Sequence, residues 1–215
     1  SGVAFGRRIR LEQPRADTLV IHGAERDDYE QIWKHYLALD ENYTAVKADI
    51  AARFTPFDKT GVIDAALERG GGIRILRQDP WEALCSFIVS QNNNIPRIKK
   101  IIAALSDAYG EKLEYKTPSG CSVTYSAFPT AEALARAGED AIYALRTGFR
   151  AKYIADAARR VAEGSTDLDA IAKLPTAEAA AELMKIKGVG IKVASCALLF
   201  GFGRTEAFPV DVWVK

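Results

Sequence analysis

Histidine, methionine and cysteine are scarce in this 215-residue chain, which has two, one and three of them respectively. Both histidines, His22 and His35, lie near the start, so later residues must do any chemistry without imidazole. The cysteines, Cys85, Cys121 and Cys196, are far apart and form no C-x-x-C, which argues against a disulfide framework or a zinc ribbon. No excess of one charge stands out. With 29 Lys and Arg against 28 Asp and Glu the formal net charge is +1, so any basic surface for an acidic partner has to be local. Long apolar runs are also missing: none approaches the roughly 20 residues that cross a bilayer, and no charged-then-apolar signal pattern opens the chain. The expectation is a protein without a membrane partner in a cytoplasmic, reducing compartment.

What is present is ordinary globular composition, 48% hydrophobic and 27% charged, enough for one main domain with an accessory piece. Arg8-Ile9-Arg10-Leu11 alternates and Thr18-Leu19-Val20-Ile21 is β-rich, so the first residues read as strands of a small sheet. Helical signals then take over. Asp28 is a candidate cap, Asn42-Tyr43 opens a second helix, and Asp79-Pro80-Trp81-Glu82 combines a capping Asp, a first-turn Pro and a capping-box Glu. Trp81, Leu84, Cys85 and Ile88 recur at helical spacing, as do Ile98, Ile101, Ile102 and Leu105 after Pro96. Asn92-Asn93-Asn94 therefore falls at a helix-to-helix junction. Residues 111 to 128 read as a loop or irregular hairpin, and Thr130 and Thr176 as caps of further helices. The fold class expected is α+β, predominantly α-helical: a partial β/α subdomain over residues 1–38 and a helical domain over residues 39–215.

Leu183 to Ala194 places Gly188-Val189-Gly190 between two helical runs. Glycines allow a sharp turn and close approach to a ligand, and the helix that follows offers its first amides to an anion such as phosphate. Further on, Phe208-Pro209-Val210-Asp211-Val212-Trp213 embeds a carboxylate among apolar residues, costly unless it caps a helix, meets a cation or does chemistry. Together these segments resemble the helix-hairpin-helix DNA glycosylase superfamily, with the hairpin at about residues 183–200. In that family the turn usually has Pro where this chain has Lys187, and a lysine there adds to phosphate attraction.

The resemblance implies a fold, a small N-terminal antiparallel sheet on a helical body, and a set of roles. Gly188, Gly190 and Lys187 would contact phosphate at the hairpin. Lys192 and Asp211 match the nucleophilic lysine and catalytic aspartate of bifunctional members. The backbone carbonyls of Met184, Ile186 and Val189 match a site for a structural monovalent or calcium-like cation; no other cofactor is required. Plainer readings stand beside these roles: Gly188-Val189-Gly190 as a helical hairpin without a DNA role, Asp211 as an ordinary cap and Lys192 as a solvated lysine.

The stretch Gln78 to Ile88, followed by Asn92-Asn93-Asn94-Ile95-Pro96-Arg97-Ile98, resembles 8-oxoguanine DNA glycosylases in particular. That likeness implies that Asn92 fills the void left by an extruded base, that Arg97 and Arg150 read the orphan cytosine, and that Phe149 is the aromatic wedge, where many members have Tyr. Cys196 would stack on the flipped purine, with Trp213 covering the pocket. Trp213 stands where eukaryotic members often have His, which points to a bacterial-type, nucleoid-associated enzyme. The family continues past this aspartate with a helix that completes the base pocket, so the domain is expected to extend beyond residue 215. Read from the residues alone, the asparagine run is equally a polar helix-ending loop, Phe149 has a core reading beside that of wedge, and a cysteine such as Cys196 on an apolar face is more often core.

The implied reaction is excision of 8-oxoguanine opposite cytosine from duplex DNA by a monomer: Lys192 attacks C1′, a Schiff base forms, and β-elimination nicks the strand. The scheme uses neither histidine nor metal-bound water. Two alternatives share the hairpin. A monofunctional alkylpurine glycosylase of the same fold activates water with the aspartate, and a non-catalytic helix-hairpin-helix module binds DNA without cutting it. Lys192 and the Asn-Asn-Asn-Ile stretch weigh against the first, and the endonuclease III type is set apart by its four-cysteine iron–sulfur loop.

Overall fold

The computed structural model of the protein describes residues 2–116 and 120–210. In chain order it has strands β1 (Gly2–Ala4), β2 (Arg7–Arg15) and β3 (Thr18–His22), then α1 (Arg26–Asp28) continuing through a π turn at Tyr29–Trp33 into α2 (Lys34–Tyr36). Next come α3 (Tyr43–Phe54), α4 (Val62–Arg69), α5 (Pro80–Ser90) and α6 (Ile95–Tyr109). The hairpin of β4 (Lys112–Lys116) and β5 (Ser122–Ser126) precedes α7 (Ala131–Ile142), α8 (Ala151–Ala162), α9 (Leu168–Ile171), α10 (Thr176–Leu183) and α11 (Ile191–Gly201). The α+β, mainly helical expectation holds.

Contacts divide the chain into two compact units: Ser1–Ala24 with Gln78–Lys215, and Glu25–Arg77. The boundary expected between residues 38 and 39 falls inside the second unit. There Asn42 caps α3 by accepting from the Ala45 amide at 3.0 Å, as its position predicted. Arg77 closes the unit on itself through ion pairs to Asp40 and Glu41 at 3.0 and 3.1 Å. The first helix starts at Arg26 with Glu25 at the cap position, ahead of the Asp28 cap expected, and Asp28 makes no side-chain cap bond.

In the larger unit β2 is central, antiparallel to both β1 and β3. The β2–β3 register is disturbed between Glu12 and Arg15, where Pro14 has no N–H to give to the ladder. Within the stretch expected to be a loop or irregular hairpin, β4 and β5 pair antiparallel in unbroken register from the pair Lys112–Ser126 to the pair Lys116–Ser122. The cross-strand pairs Leu113–Tyr125 and Tyr115–Val123 put apolar and aromatic groups opposite each other. Arg8 of β2 lies over both tyrosine rings, 3.7 Å from the centre of Tyr115 and 5.0 Å from that of Tyr125.

The core is helical. Leu84, Ile88, Leu105, Leu134, Ile154 and Leu183 are buried in one cluster, in keeping with the helical spacing read from the sequence. Asp79 caps α5 by accepting from the Glu82 amide at 2.9 Å, but the Glu82 side chain makes no hydrogen bond among the described residues, so the capping box is half formed. Thr130 caps α7 as expected. Thr176 is the first residue of α10 rather than its cap, a position held by Pro175, and its hydroxyl donates to Glu206. Among the described residues no helix is long and apolar enough to cross a membrane.

Candidate active site

Two helices and a short turn build the hairpin, and its glycines serve different ends. Gly188 has φ +80°, and a Cβ there would lie 2.5 Å from the ring of Tyr153 on α8, so both the backbone and the packing require glycine. Gly190 has an extended φ of −95°, and a Cβ there would meet nothing within 4 Å. The protein's own packing therefore does not demand Gly190. Its missing side chain leaves the first turn of α11 without a side-chain cap, with donor amides available to an anion.

Lys192 is the second residue of α11 and is exposed. Cys196, one turn further on, is only 6% exposed and belongs to the inward face with Val193 and Ala197. In the turn, the Lys187 side chain is exposed while its amide donates to Asp156 Oδ2 on α8 at 2.9 Å. Burial alone would raise the Asp156 pKa. The Lys187 amide and the guanidinium groups of Arg159 and Arg160 outweigh that and hold it below the ordinary aspartate value. Ile186 and Val189 are buried and Met184 is exposed. The Ile186 carbonyl accepts the Val189 amide at 3.0 Å, while those of Met184 and Val189 accept no backbone hydrogen bond among the described residues.

A second structure forms where the asparagine run meets the turn between α7 and α8. The three asparagines have three tasks. Asn94 caps α6 by accepting from the Arg97 amide at 3.0 Å. The Asn93 side chain donates to the Val89 carbonyl at 2.9 Å, closing the end of α5. Asn92 has a left-handed φ of +44°, is exposed, and its side-chain amide has no hydrogen bond among the described residues. Arg146 in the facing turn is also left-handed, at φ +62°. Two strained non-glycine residues thus sit in adjoining loops, a pattern that clusters at functional sites.

Arg150 joins these loops. It is 1% exposed, and its guanidinium makes four hydrogen bonds: two to the Gln91 carbonyl, one to that of Asn92 at 2.8 Å and one to that of Thr147 at 3.3 Å. Arg97, exposed, reaches the Arg146 carbonyl at 3.5 Å. Phe149 is 46% exposed, with the Arg150 guanidinium 4.4 Å from its ring centre on one side and Tyr153 edge-on at 6.0 Å. Tyr153 is the same ring that covers Gly188. An unbroken series of contacts therefore runs from Asn92 through Arg150, Phe149 and Tyr153 to the hairpin that carries Lys192.

Such a surface pairs an anion seat with an exposed aromatic and an unsatisfied amide. The pattern of a family model described as "HhH-GPD superfamily base excision DNA repair protein" matches residues 85–215, which hold every one of these groups. The chain belongs to the HhH-GPD superfamily. Residues 1–84 match a second model, "8-oxoguanine DNA glycosylase, N-terminal domain", which makes it a superfamily member of the 8-oxoguanine glycosylase type. A Clostridium acetobutylicum 8-oxoguanine glycosylase/lyase, solved with double-stranded DNA containing cytosine opposite 8-oxoG, is similar over 99% of this chain and 69% of its own, with 37% identity and a TM-score of 0.87. The Saccharomyces cerevisiae N-glycosylase/DNA lyase is 42% identical over 155 residues, 67% of this chain and 40% of the relative. An Arabidopsis thaliana N-glycosylase/DNA lyase is 35% identical over 147 residues, 66% of this chain and 39% of the relative. The chain thus spans about two fifths of the length of these curated relatives.

Within this superfamily member, Asn92, Arg97, Phe149 and Arg150 come together, and Phe149 reaches the hairpin through Tyr153. Arg150, expected at the orphan base, is buried here and bound to main-chain carbonyls of both loops, which its several donors can serve at once. Asp211 and Trp213 lie outside the described residues. Among the described residues there is no cluster of three or more His, Cys, Asp or Glu suited to a metal ion. Two contributors escaped sequence reasoning, Tyr153 and Asp156. Nothing local shows that the partner of each lies in the hairpin more than thirty residues later.

Proposed function

We propose that the protein is a DNA N-glycosylase with associated lyase activity that removes 8-oxoguanine from opposite cytosine in duplex DNA. What supports this reading above all is the contact series that joins the Asn92 loop, the Phe149 turn and the Lys192 hairpin into one surface, in a chain of this family.

The roles follow from chemistry. Phosphate sits on the open amides after Gly190, helped by the Lys187 ammonium. Exposed Phe149 enters the stack beside the orphan base and replaces part of the stacking lost, and the free amide of Asn92 occupies the vacated position. Arg97 donates to cytosine acceptors. Arg150 can join it only by exchanging its bond to the Asn92 carbonyl for one to the base, which ties cytosine recognition to the position of Asn92. The backbone carbonyls of Met184, Ile186 and Val189 would hold a monovalent or calcium-like cation, which would add positive charge beside the phosphate.

At the reacting centre the lone pair of Lys192 Nζ forms a bond to C1′ as the C1′–N9 bond breaks, its electrons leaving with the base, which takes up a proton. The Asp211 carboxylate stabilises the positive charge at C1′ more in the transition state than before it. The aminal opens to a Schiff base. Loss of a C2′ proton then expels the 3′ phosphate and nicks the strand. Cys196 packs beside the extruded purine.

Borohydride reduction during incubation with an 8-oxoguanine:cytosine duplex is expected to give a covalent protein–DNA adduct. Lys192→Gln is expected to lose the adduct and base release while keeping duplex binding. An unmodified chain that gives no adduct, or a Lys192→Gln variant that releases base at the parent rate, overturns the assignment. Binding indifferent to the lesion would favour the non-catalytic hairpin module.

A further inference from the structure

The hairpin and the wedge are separate pieces of chain, yet both are held by one helix. α8 begins just after Phe149 and Arg150, so its first residue follows directly on the wedge-bearing turn. Its first turn presents Tyr153, whose ring meets that of Phe149 edge-on and lies against Gly188 so closely that no Cβ fits between. One helical turn from Tyr153 comes Asp156, three-quarters or more withdrawn from solvent, with 16% side-chain exposure. Its carboxylate accepts from the Lys187 amide at 2.9 Å, from Arg159 at 2.9 Å and from Arg160 at 3.0 Å. A main-chain amide in a tight turn is thus bound by a side chain from another helix, itself braced by two guanidinium groups.

We infer that Tyr153 and Asp156 are positioning residues that set the register of the Lys192 hairpin against the Phe149 wedge. Neither touches DNA in this scheme. The physical need is plain: the wedge fixes where along the duplex a nucleotide is pushed out, the hairpin fixes where Lys192 waits, and an error of about 1 Å between them costs as much as a hundredfold in rate. A steric contact and a charge-assisted hydrogen bond, one helical turn apart, constrain the turn at two neighbouring residues, Lys187 and Gly188. Two contacts prevent the tilt that one alone would allow. The inference rests on the glycosylase reading for its consequence and on the α8–hairpin geometry for its mechanism.

The test compares the parent chain with Asp156→Ala and with Asp156→Asn, which keeps an oxygen acceptor for the Lys187 amide. Four quantities are read: single-turnover base release from a saturated 8-oxoguanine:cytosine duplex, borohydride trapping on a duplex with a preformed abasic site, the fluorescence of a 2-aminopurine beside the lesion, and the thermal midpoint. Asp156→Ala is expected to slow base release by roughly tenfold or more. Abasic-site trapping, which starts from an aldehyde already free to meet Lys192, should stay within about twofold. Asp156→Asn should recover most of the lost rate, and Tyr153→Phe, which keeps the ring, should match the parent. Base release unchanged in Asp156→Ala overturns the inference. So does a loss of release and trapping together in step with the midpoint, which marks a merely structural role, and so does a selective loss that Asn fails to restore. A parent chain that releases no base sinks the glycosylase reading instead; the 2-aminopurine signal then still decides whether Asp156 couples hairpin binding to wedge insertion.

Discussion

Glu82 follows the capping residue Asp79 on α5 and lines a cavity of about 350 Å³ together with Trp81, Phe128 and Glu132. Burial, and after it the charge of Asp79, push its pKa up from the ordinary 4.5 to about 7. Between those values the unfolded chain has lost a proton that the folded chain keeps. Stability therefore falls as pH rises through the window, by about 1.4 kcal/mol per pH unit at its steepest. The full window corresponds to about 3 kcal/mol as an upper bound, and the carboxyl's remaining contact with solvent brings the expected penalty nearer to about 2 kcal/mol. Glu82→Gln has the same shape without the charge. It should match the parent at pH 4.5, where Glu82 is protonated in the folded state, and exceed it at pH 8 by about 2 kcal/mol, roughly 4–8 °C in thermal midpoint. Denaturant titrations of both proteins from pH 4.5 to pH 8 measure the difference directly. Parallel curves across that range, with no divergence as pH rises, would refute the placement of a protonated Glu82 withdrawn from solvent beside Asp79.

Further outcomes follow from the hairpin. Gly188→Ala combines a left-handed φ with a ring clash and should destabilise the fold by about 2–4 kcal/mol in denaturant titration, whereas Gly190→Ala, with open space around its Cβ, should leave stability within about 0.5 kcal/mol but weaken duplex binding. Equal stability losses in the two variants would contradict the division of labour between the glycines. Lys187→Ala should reduce the slope of log affinity against log salt by about one, equally for damaged and undamaged duplex. An unchanged slope would remove Lys187 from the phosphate contact.

The sequence by itself determined the local elements. Helical spacing after Asp79 and Pro96, the Asn42, Asp79 and Thr130 caps, and the alternation around Ile9 are short-range preferences that burial later reinforced. Asn92, Phe149 and Lys192 were singled out by the family resemblance, whereas the Gly188-Val189-Gly190 turn was legible from the residues themselves. Where the sequence went astray, the deciding interaction was long-range. The stretch read as a loop or irregular hairpin gains its regularity from the β4–β5 pairing and from Arg8 of β2 lying over its tyrosines, and the first helix starts at Arg26 rather than at the Asp28 cap expected.

Only the tertiary structure decided how those residues are used. Three consecutive asparagines look equivalent along the chain, but their tasks diverge because one faces the end of α5, one the start of α6 and one neither. Arg150, expected at the orphan cytosine from the family resemblance, is buried by the fold between two loops whose Gln91, Asn92 and Thr147 carbonyls it binds. Tyr153 and Asp156 carry no local mark at all, since what they do depends on a turn brought to them from a distant part of the chain. Side-chain identity sets which interactions a residue is able to make; the partner that claims it is fixed only when non-local packing brings the two within reach and away from water.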